Sequence, residues 1–244
     1  MSHKVVLILG AGPHIGALSA KAFAAQGWKV ALVARSLKDG YSSEGYLQIH
    51  GDLSQPQQVP SFFDKVSKAL AIPSVVIYNA LLRVPTESIS GAVRSVANAK
   101  DSLSALSVSQ IEHEMAVNCI SAIVAAQQAV VGFKQLPADA SKTFIYTGNK
   151  LHLATLEQVP LFNVGKSAAA SLIHTASKSY RDAGFKFYFT NERLEDGSQA
   201  GADFDGPSRA ALHVQLANDA KQGPWNYSFV KGKGYVEFGN LVEE

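Results

Sequence analysis

Short apolar runs rich in β-branched residues alternate along the chain with longer amphipathic segments. The runs predict six strands: Val5–Leu9, Val30–Val33, Tyr46–His50, Val75–Tyr78, Thr143–Thr147 and Phe185–Thr190. Apolar residues at helical spacing predict four helices: His14–Gly27, Pro56–Leu70, Ser109–Phe133 and Asn163–Ala183. A late run, Trp225–Val230 and then Tyr235–Phe238, predicts a last edge strand and a tail. Because strands and helices alternate, we expect one α/β domain over residues 1–244, with a doubly wound parallel sheet of Rossmann type and helices on both faces.

Composition narrows the class of protein. With 47% hydrophobic residues in 244, the chain can bury one sizeable core, and a net charge of +2 without a basic run argues against a nucleic-acid partner. The N-terminal apolar run Val5–Leu9 is too short for a secretion signal, and polar residues interrupt the other apolar stretches, so we expect no membrane span. The single cysteine, Cys119, allows neither an internal disulfide nor a cysteine metal cluster. We expect a soluble, cytoplasmic protein without a metal site.

A glycine-rich turn joins the first predicted strand to the first predicted helix. Its candidate cofactor-binding residues are Gly10, Gly12, Pro13, His14, Ile15 and Gly16. Glycines let the backbone approach a pyrophosphate at a helix N-terminus, so the turn predicts a dinucleotide site. The alternative is a tight turn without a ligand.

The end of the second predicted strand indicates which dinucleotide binds. It reads Ala34-Arg35-Ser36, without the acidic residue that would bind the ribose hydroxyls of NAD(H). An arginine at this place can pair with the 2′-phosphate of NADP(H), and Lys38 adds positive charge. We expect NADP(H), with Arg35 and Ser36 as contacts. A solvated Arg35 without a ligand is the alternative.

Further landmarks follow along the chain: Asp52-Leu53 after the third strand, Tyr78-Asn79-Ala80 at the end of the fourth, Val117-Asn118 in the third helix, and Phe162-Asn163-Val164-Gly165-Lys166 in the fourth. With the glycine turn, these residues resemble the short-chain dehydrogenase/reductase family over most of the chain. The resemblance implies that Asp52 and Leu53 lie at the adenine, and that Asn79 and Ala80 border the cofactor. It also implies that Asn118 is the active-site asparagine and that Lys166 binds the cofactor ribose and takes part in catalysis.

Two departures from the family pattern fall on its catalytic groups. Phe162 stands where the family has its general-acid tyrosine, and the serine position falls most nearly on Asn149; neither side chain carries a hydroxyl. We expect Asn149 to polarise a carbonyl without transferring a proton. Leu216–Trp225 resembles the C-terminal region of a divergent branch that lacks the tyrosine, so the chain resembles a branch without the active-site Ser and Tyr.

Two residues after the fifth strand, Lys150 and His152, are candidates for a substitute acid, and the alternative is that each is a surface residue.

The segment 85–104 is extra relative to the family and predicts either an active-site lid or a surface excursion. Thr190–Asp205 lacks the family's Pro-Gly, so substrate contacts do not transfer.

The resemblance implies an NADP(H)-dependent oxidoreductase that reduces a small carbonyl or activated double bond with an atypical proton source. One alternative is an inactive NADP(H)-binding sensor or interaction protein, and another is a non-redox enzyme on the same scaffold. If the chain is such an oxidoreductase, we expect its binding partner to be a small-molecule substrate. Since family members pair through long helices resembling Ser109–Phe133 and Asn163–Ala183, we also expect a homodimer or homotetramer.

Overall fold

The strands of the protein form one sheet in a computed structural model that describes residues 4–80, 106–156, 159–201 and 204–239. The predicted lid at 85–104 lies outside the described residues. The strands are β1 Val5–Leu9, β2 Lys29–Ala34, β3 Gly40–Tyr41, β4 Leu47–His50, β5 Val75–Tyr78, β6 Thr143–Thr147, β7 Lys186–Arg193, β8 Asn226–Val230 and β9 Gly234–Tyr235. The helices are α1 Ile15–Ala24, α2 Val59–Ala69, α3 Val108–Met115, α4 Ser121–Phe133, α5 Pro160–Ser179 and α6 Gly206–Asn218.

The sheet has the order β3-β4-β2-β1-β5-β6-β7-β8-β9. All neighbours pair in parallel except the two edge strands β3 and β9, which are antiparallel. The doubly wound parallel sheet of Rossmann type is therefore confirmed. Strand order reverses between β1 and β5, and in such sheets ligands bind in the crevice at the carboxyl ends of the strands beside that reversal. The glycine turn after β1 and Asn79 after β5 lie at this point.

Helices cover both faces because alternate strand residues point to opposite sides. On β1, Val5, Leu7 and Leu9 pack into a core shared with α2, α4 and α5. Val6 and Ile8 pack into a second core with α1 and α6. Both cores are anchored by strands that are buried along their length, as expected for a parallel sheet with two covered faces.

Four local features differ from the predicted elements. The long third helix is divided into α3 and α4 by a π-helical turn, Ala116–Ile120. Strand β7 continues three residues further than predicted, to Arg193. The short edge strand β3 and the whole of α6 were not predicted; the buried face of α6 includes the polar residues Arg209 and His213, so its apolar residues do not form a continuous stripe. Its start nevertheless carries a usable signal, since Asp205 caps the helix and a proline follows in the first turn.

Candidate functional site

The glycine turn after β1 forms one wall of the crevice. Gly10 has a φ of +85°, and a Cβ there would lie 2.6 Å from the backbone of Ala80, so only glycine fits. Asn79 Nδ2 donates a hydrogen bond of 3.0 Å to the Gly10 carbonyl. This bond links the predicted cofactor-binding residues that follow β1 to those that follow β5. A Cβ on Gly16 would meet Ala11 at 2.7 Å, whereas a Cβ on Gly12 would have no atom within 4 Å. Gly12 therefore presents an open side of the turn to the crevice.

The N-terminus of α1 fits an anionic group. His14 occupies the N-cap position but makes no side-chain cap, and among the described residues the backbone amides of Ile15 and Gly16 have no backbone acceptor. Pro13 precedes the helix and is exposed. Unpaired amides at a helix start and the helix dipole together favour a phosphate. The predicted phosphate contacts thus lie together at one helix end.

The end of β2 lies next to this turn, because the amides of Gly10 and Ala11 both donate to the Val33 carbonyl. Arg35 and Ser36 follow on the surface with exposed side chains. Asp39, further along the same loop, forms an ion pair with Lys65. Hydrogen bonds from Lys65 and from the His50 amide lower the pKa of Asp39.

Asp52 and Leu53 lie on the loop after β4. The carboxylate of Asp52 accepts a hydrogen bond from the Ser54 amide at 2.9 Å, which fixes the loop and leaves Asp52 half-buried. Leu53 is buried, and its carbonyl accepts a hydrogen bond from the Ser121 hydroxyl at 2.7 Å. This loop is therefore joined to the start of α4.

Asn118 lies in the π-helical turn and is fully buried. Its Nδ2 donates to the backbone carbonyl and the Oε2 atom of Glu114, while its Oδ1 has no hydrogen-bond partner among the described residues. A Cβ on Gly165 would lie 2.6 Å from the Asn118 Cβ, so the glycine lets α5 approach this turn closely. The predicted asparagine and the predicted lysine helix are brought together in this way.

Lys166 projects from α5 and is only 2% exposed. Its Nζ donates to the Tyr146 hydroxyl at 3.3 Å and to the Thr147 carbonyl at 3.1 Å. Nζ also lies 4.6 Å from the centre of the Tyr146 ring and 5.1 Å from that of Phe162. Burial, with a smaller contribution from the positive charge of Arg209, lowers the pKa of Lys166 to about 7.

Phe162 and Asn149, at the positions of the family's tyrosine and serine, carry no acidic group. Phe162 packs in a small apolar cluster with Leu151 and Val159. Asn149 uses its side-chain oxygen to accept the Leu151 amide at 3.1 Å. His152 donates from Nδ1 to the Asn149 carbonyl at 2.8 Å, and burial lowers its pKa to about 4. Burial therefore favours the neutral form of His152 near pH 7, and its role as the substitute acid stays a prediction.

Two features of this region were not predicted from the sequence. One is Tyr146, which lies inside an apolar strand, where the sequence pattern indicates only a core residue. The other is the buried ion pair between Glu192 on β7 and Arg209 on α6, with Nε and Oε2 2.6 Å apart. Glu192 also accepts the Asp205 amide at 2.8 Å and so fixes the start of α6. The sequence signal for this ion pair was the run Asn191-Glu192-Arg193, in which two charged residues follow directly after an apolar stretch.

The predicted site residues thus occupy two groups along one edge of the sheet. The turn of Gly10–Gly16 with Asn79 and Ala80 forms one group, and Asn118 and Lys166 form the other through Tyr146. Arg35, Ser36 and Asp52 lie on the loops after β2 and β4, on the other side of the glycine turn. No hydrogen bond joins the side chains of Asn149 and Lys166 among the described residues, although both lie beside Thr147.

Comparison with known proteins gives consistent matches. Residues 4–189 match the short chain dehydrogenase family. A short chain dehydrogenase/reductase, dmxR12 of Cryptosporiopsis sp., is 38% identical over 239 residues, which cover 98% of this chain and 96% of that protein.

Solved structures show the same fold. A short-chain dehydrogenase/reductase from Serratia marcescens superposes with a TM-score of 0.71 at 16% identity, covering 95% of this chain and 97% of that one. A metagenomic short-chain oxidoreductase in complex with NADP superposes with a TM-score of 0.70 at 16% identity, covering 91% of this chain and 96% of that one.

Proposed function

This chain belongs to the short-chain dehydrogenase/reductase family, whose members bind a nicotinamide cofactor, and on that premise we propose that it is an NADP(H)-dependent reductase of a small carbonyl or activated double bond. We place it in a divergent group that works without the active-site serine and tyrosine. The proton source is then atypical, because position 162 carries a phenyl ring.

The observation that carries the proposal is the burial of Lys166 at the sheet edge. The side chain is only 2% exposed, and no carboxylate pairs with it among the described residues. A buried amine without a counter-ion is costly, and such groups with strongly perturbed pKa values concentrate at functional sites. The hydrogen bonds to Tyr146 and Thr147 use two of the three ammonium donors, so one is left for a bound molecule.

Support for NADP(H) comes from the surface beside the glycine turn. Arg35 is exposed at the end of β2, and no acid follows it before Asp39, whose carboxylate already pairs with Lys65. A guanidinium in this place can form charge-assisted hydrogen bonds to a 2′-phosphate. The NADP complex of the metagenomic structural relative agrees with this choice.

Bound NADPH would supply the hydride. The chain would hold the pyrophosphate on the amides at the start of α1 and the ribose on the Lys166 ammonium. At pH near 7 the Lys166 amine exchanges readily between its charged and neutral forms, because its pKa is lowered to about 7. Nζ can therefore hold the proton that the product oxygen or carbon needs, while Phe162 beside it keeps water away.

The test is a panel of aldehydes, ketones, imines and activated alkenes incubated with NADPH. Reductase function predicts that NADPH absorbance falls faster than without enzyme for at least one substrate class. Binding of NADPH without turnover of any compound would instead favour a second candidate, an NADP(H)-binding sensor or interaction protein. The missing hydroxyls at Asn149 and Phe162 are the observation in favour of that candidate.

Assembly and location complete the proposal. Ile123 and Val131 are exposed along α4, Ile120 is exposed at the end of the π-helical turn before it, and Val164 is exposed on α5, which supports a homodimer or homotetramer through these helices. The segment Val108–Phe133 is long enough for a membrane span, and the most apolar 18-residue window in it has a mean hydropathy of 1.6, but 61% of that window is buried within the protein. That burial is typical of a core helix and supports a soluble protein, which we propose to be cytoplasmic. Light scattering would give the number of subunits.

A further inference from the structure

We propose that Tyr146 is a positioning residue for Lys166, and that its hydroxyl holds the ammonium in place by linking it to the carbonyl of Asn118. This role rests on the proposed function in one respect only, namely that the ligand bound by the Lys166 ammonium is a dinucleotide. The landmarks that carry the family resemblance do not include Tyr146.

The link is a continuous chain of two hydrogen bonds. Lys166 Nζ donates to the Tyr146 oxygen at 3.3 Å, and the Tyr146 hydroxyl donates to the Asn118 carbonyl at 3.1 Å. The carbonyl belongs to the π-helical turn, where the regular hydrogen-bond pattern of the helix is interrupted. The phenol therefore connects α5 to this turn through its oxygen.

Stacking leaves the Tyr146 ring little freedom to move away. Its ring lies between those of Tyr78 and Phe189, with both centroid distances 5.5 Å and interplanar angles of 11° and 6°. The residue is completely buried, and burial raises the pKa of its phenol, so the hydroxyl keeps its proton. In this arrangement the phenol oxygen accepts from the ammonium through a lone pair while its own hydrogen points to the Asn118 carbonyl.

Neighbouring Tyr78 supplies an internal comparison. It pairs with Tyr146 in the β5–β6 register, is equally buried, and donates to the carbonyl of Val117, one residue before Asn118. No hydrogen bond joins Tyr78 to Lys166 among the described residues. The two tyrosines thus make the same type of structural bond, and only Tyr146 also contacts the amine.

The consequence concerns the charge of Lys166. The phenol oxygen stabilises the ammonium as an acceptor, against burial and the positive charge of Arg209, which both favour the neutral amine. Other titratable groups around the chain of bonds are His152, which is neutral, and Glu114 and Cys119 near Asn118. Replacing Tyr146 by phenylalanine removes the acceptor and keeps the ring that lies against Nζ.

The test measures the Lys166 pKa directly by NMR on protein labelled at the lysine ε-carbons, with Lys166→Met used to assign the signal. A hydrogen bond to a charged group has a strength that corresponds to about one to two pH units, so Tyr146→Phe should lower the midpoint by about that amount. Tyr78→Phe loses a matching buried bond and should leave the midpoint unchanged. Equal midpoints in wild type and Tyr146→Phe, or equal shifts in both variants, would overturn the proposal.

Binding provides a readout that distinguishes positioning from a structural role. A midpoint lowered by about one unit reduces the charged fraction at pH ~7 from about half to about a tenth, so NADPH affinity should fall about fivefold. That loss should recover at pH ~5.5, where the amine is charged again. A loss that acid does not recover would contradict the proposal. Absence of NADPH binding to the wild type at any pH would refute the proposed function but leave the NMR result decisive for Tyr146.

A measurement on the wild type covers the case in which Tyr146→Phe does not fold. With tyrosine labelled at the ζ-carbon, the Tyr146 signal should shift with the same midpoint as Lys166, because its hydroxyl environment changes when the amine loses its proton. The Tyr78 signal should shift less. A Tyr146 signal that stays constant while Lys166 titrates would show that the two groups are not linked.

Discussion

Replacing Lys166 with methionine removes a buried amine and keeps an unbranched side chain of similar length. Burial lowers the pKa of Lys166 from 10.5 to about 7 in the folded protein. Between these two pKa values the unfolded chain binds a proton that the folded protein lacks. The free energy of unfolding of the wild type therefore rises with pH in this range, and at lower pH Lys166 causes no further change in it. At about 1.4 kcal/mol per pH unit, the rise across about three units is roughly 4 kcal/mol.

The assay is urea unfolding of wild type and Lys166→Met at a series of pH values from ~7 to ~10. The free energy of unfolding of Lys166→Met minus that of the wild type should be greatest near pH ~7 and should fall by about 4 kcal/mol by pH ~10. The loss of hydrogen bonds to Tyr146 and Thr147 shifts all values together and does not alter this trend. Lys178→Met, an exposed change on the same helix, should change stability little at any pH. A wild-type-to-variant difference that is constant over the whole range would refute the reasoning.

Three further variants test other parts of the site. Arg35→Ala should erase an NADPH preference over NADH of at least about tenfold, measured by fluorescence titration, and equal wild-type affinities for the two cofactors would contradict the role of Arg35. Phe162→Tyr should raise carbonyl reduction about tenfold or more, since it restores a phenol beside an ammonium, and unchanged activity with unchanged cofactor binding would show that position 162 does not face the reacting atoms. Glu192→Ala should lower the free energy of unfolding by about 3–5 kcal/mol because Arg209 is left buried without its partner, whereas Glu195→Ala, which breaks a surface pair, should have little effect; similar results for both in urea unfolding would contradict this.

The fold was predictable because its signals are local. β1, β5 and β6 have the predicted bounds, since each is a continuous apolar run between polar or turn residues. Helix α6 escaped prediction because its buried face includes the polar residues Arg209 and His213, which interrupt the apolar stripe that would mark a helical period. The break between α3 and α4 was also invisible, because a π-helical turn keeps the composition of the helix that it interrupts.

The candidate site was predictable where backbone geometry demands a residue type. Gly10 is fixed by a positive φ and by the close approach of Ala80, and such constraints leave a glycine in the sequence. Tyr146 has no such signature, because a tyrosine in a buried strand usually serves the core and only the position of α5 brings Lys166 to its hydroxyl. The low pKa of His152 likewise depends on burial by elements distant in sequence.

Hydride transfer from NADPH is the central claim, and transfer of deuterium tests it most directly. The wild type should be incubated with NADPH that carries two deuterium atoms at the nicotinamide C4 and with the panel of carbonyl compounds, imines and activated alkenes, and the products analysed by mass spectrometry. We expect at least one reduced product that carries deuterium at a carbon of the reduced double bond, with less of it when Lys166→Met replaces the wild type. NADPH that binds tightly while no product carries deuterium would contradict the assignment of this protein as a reductase.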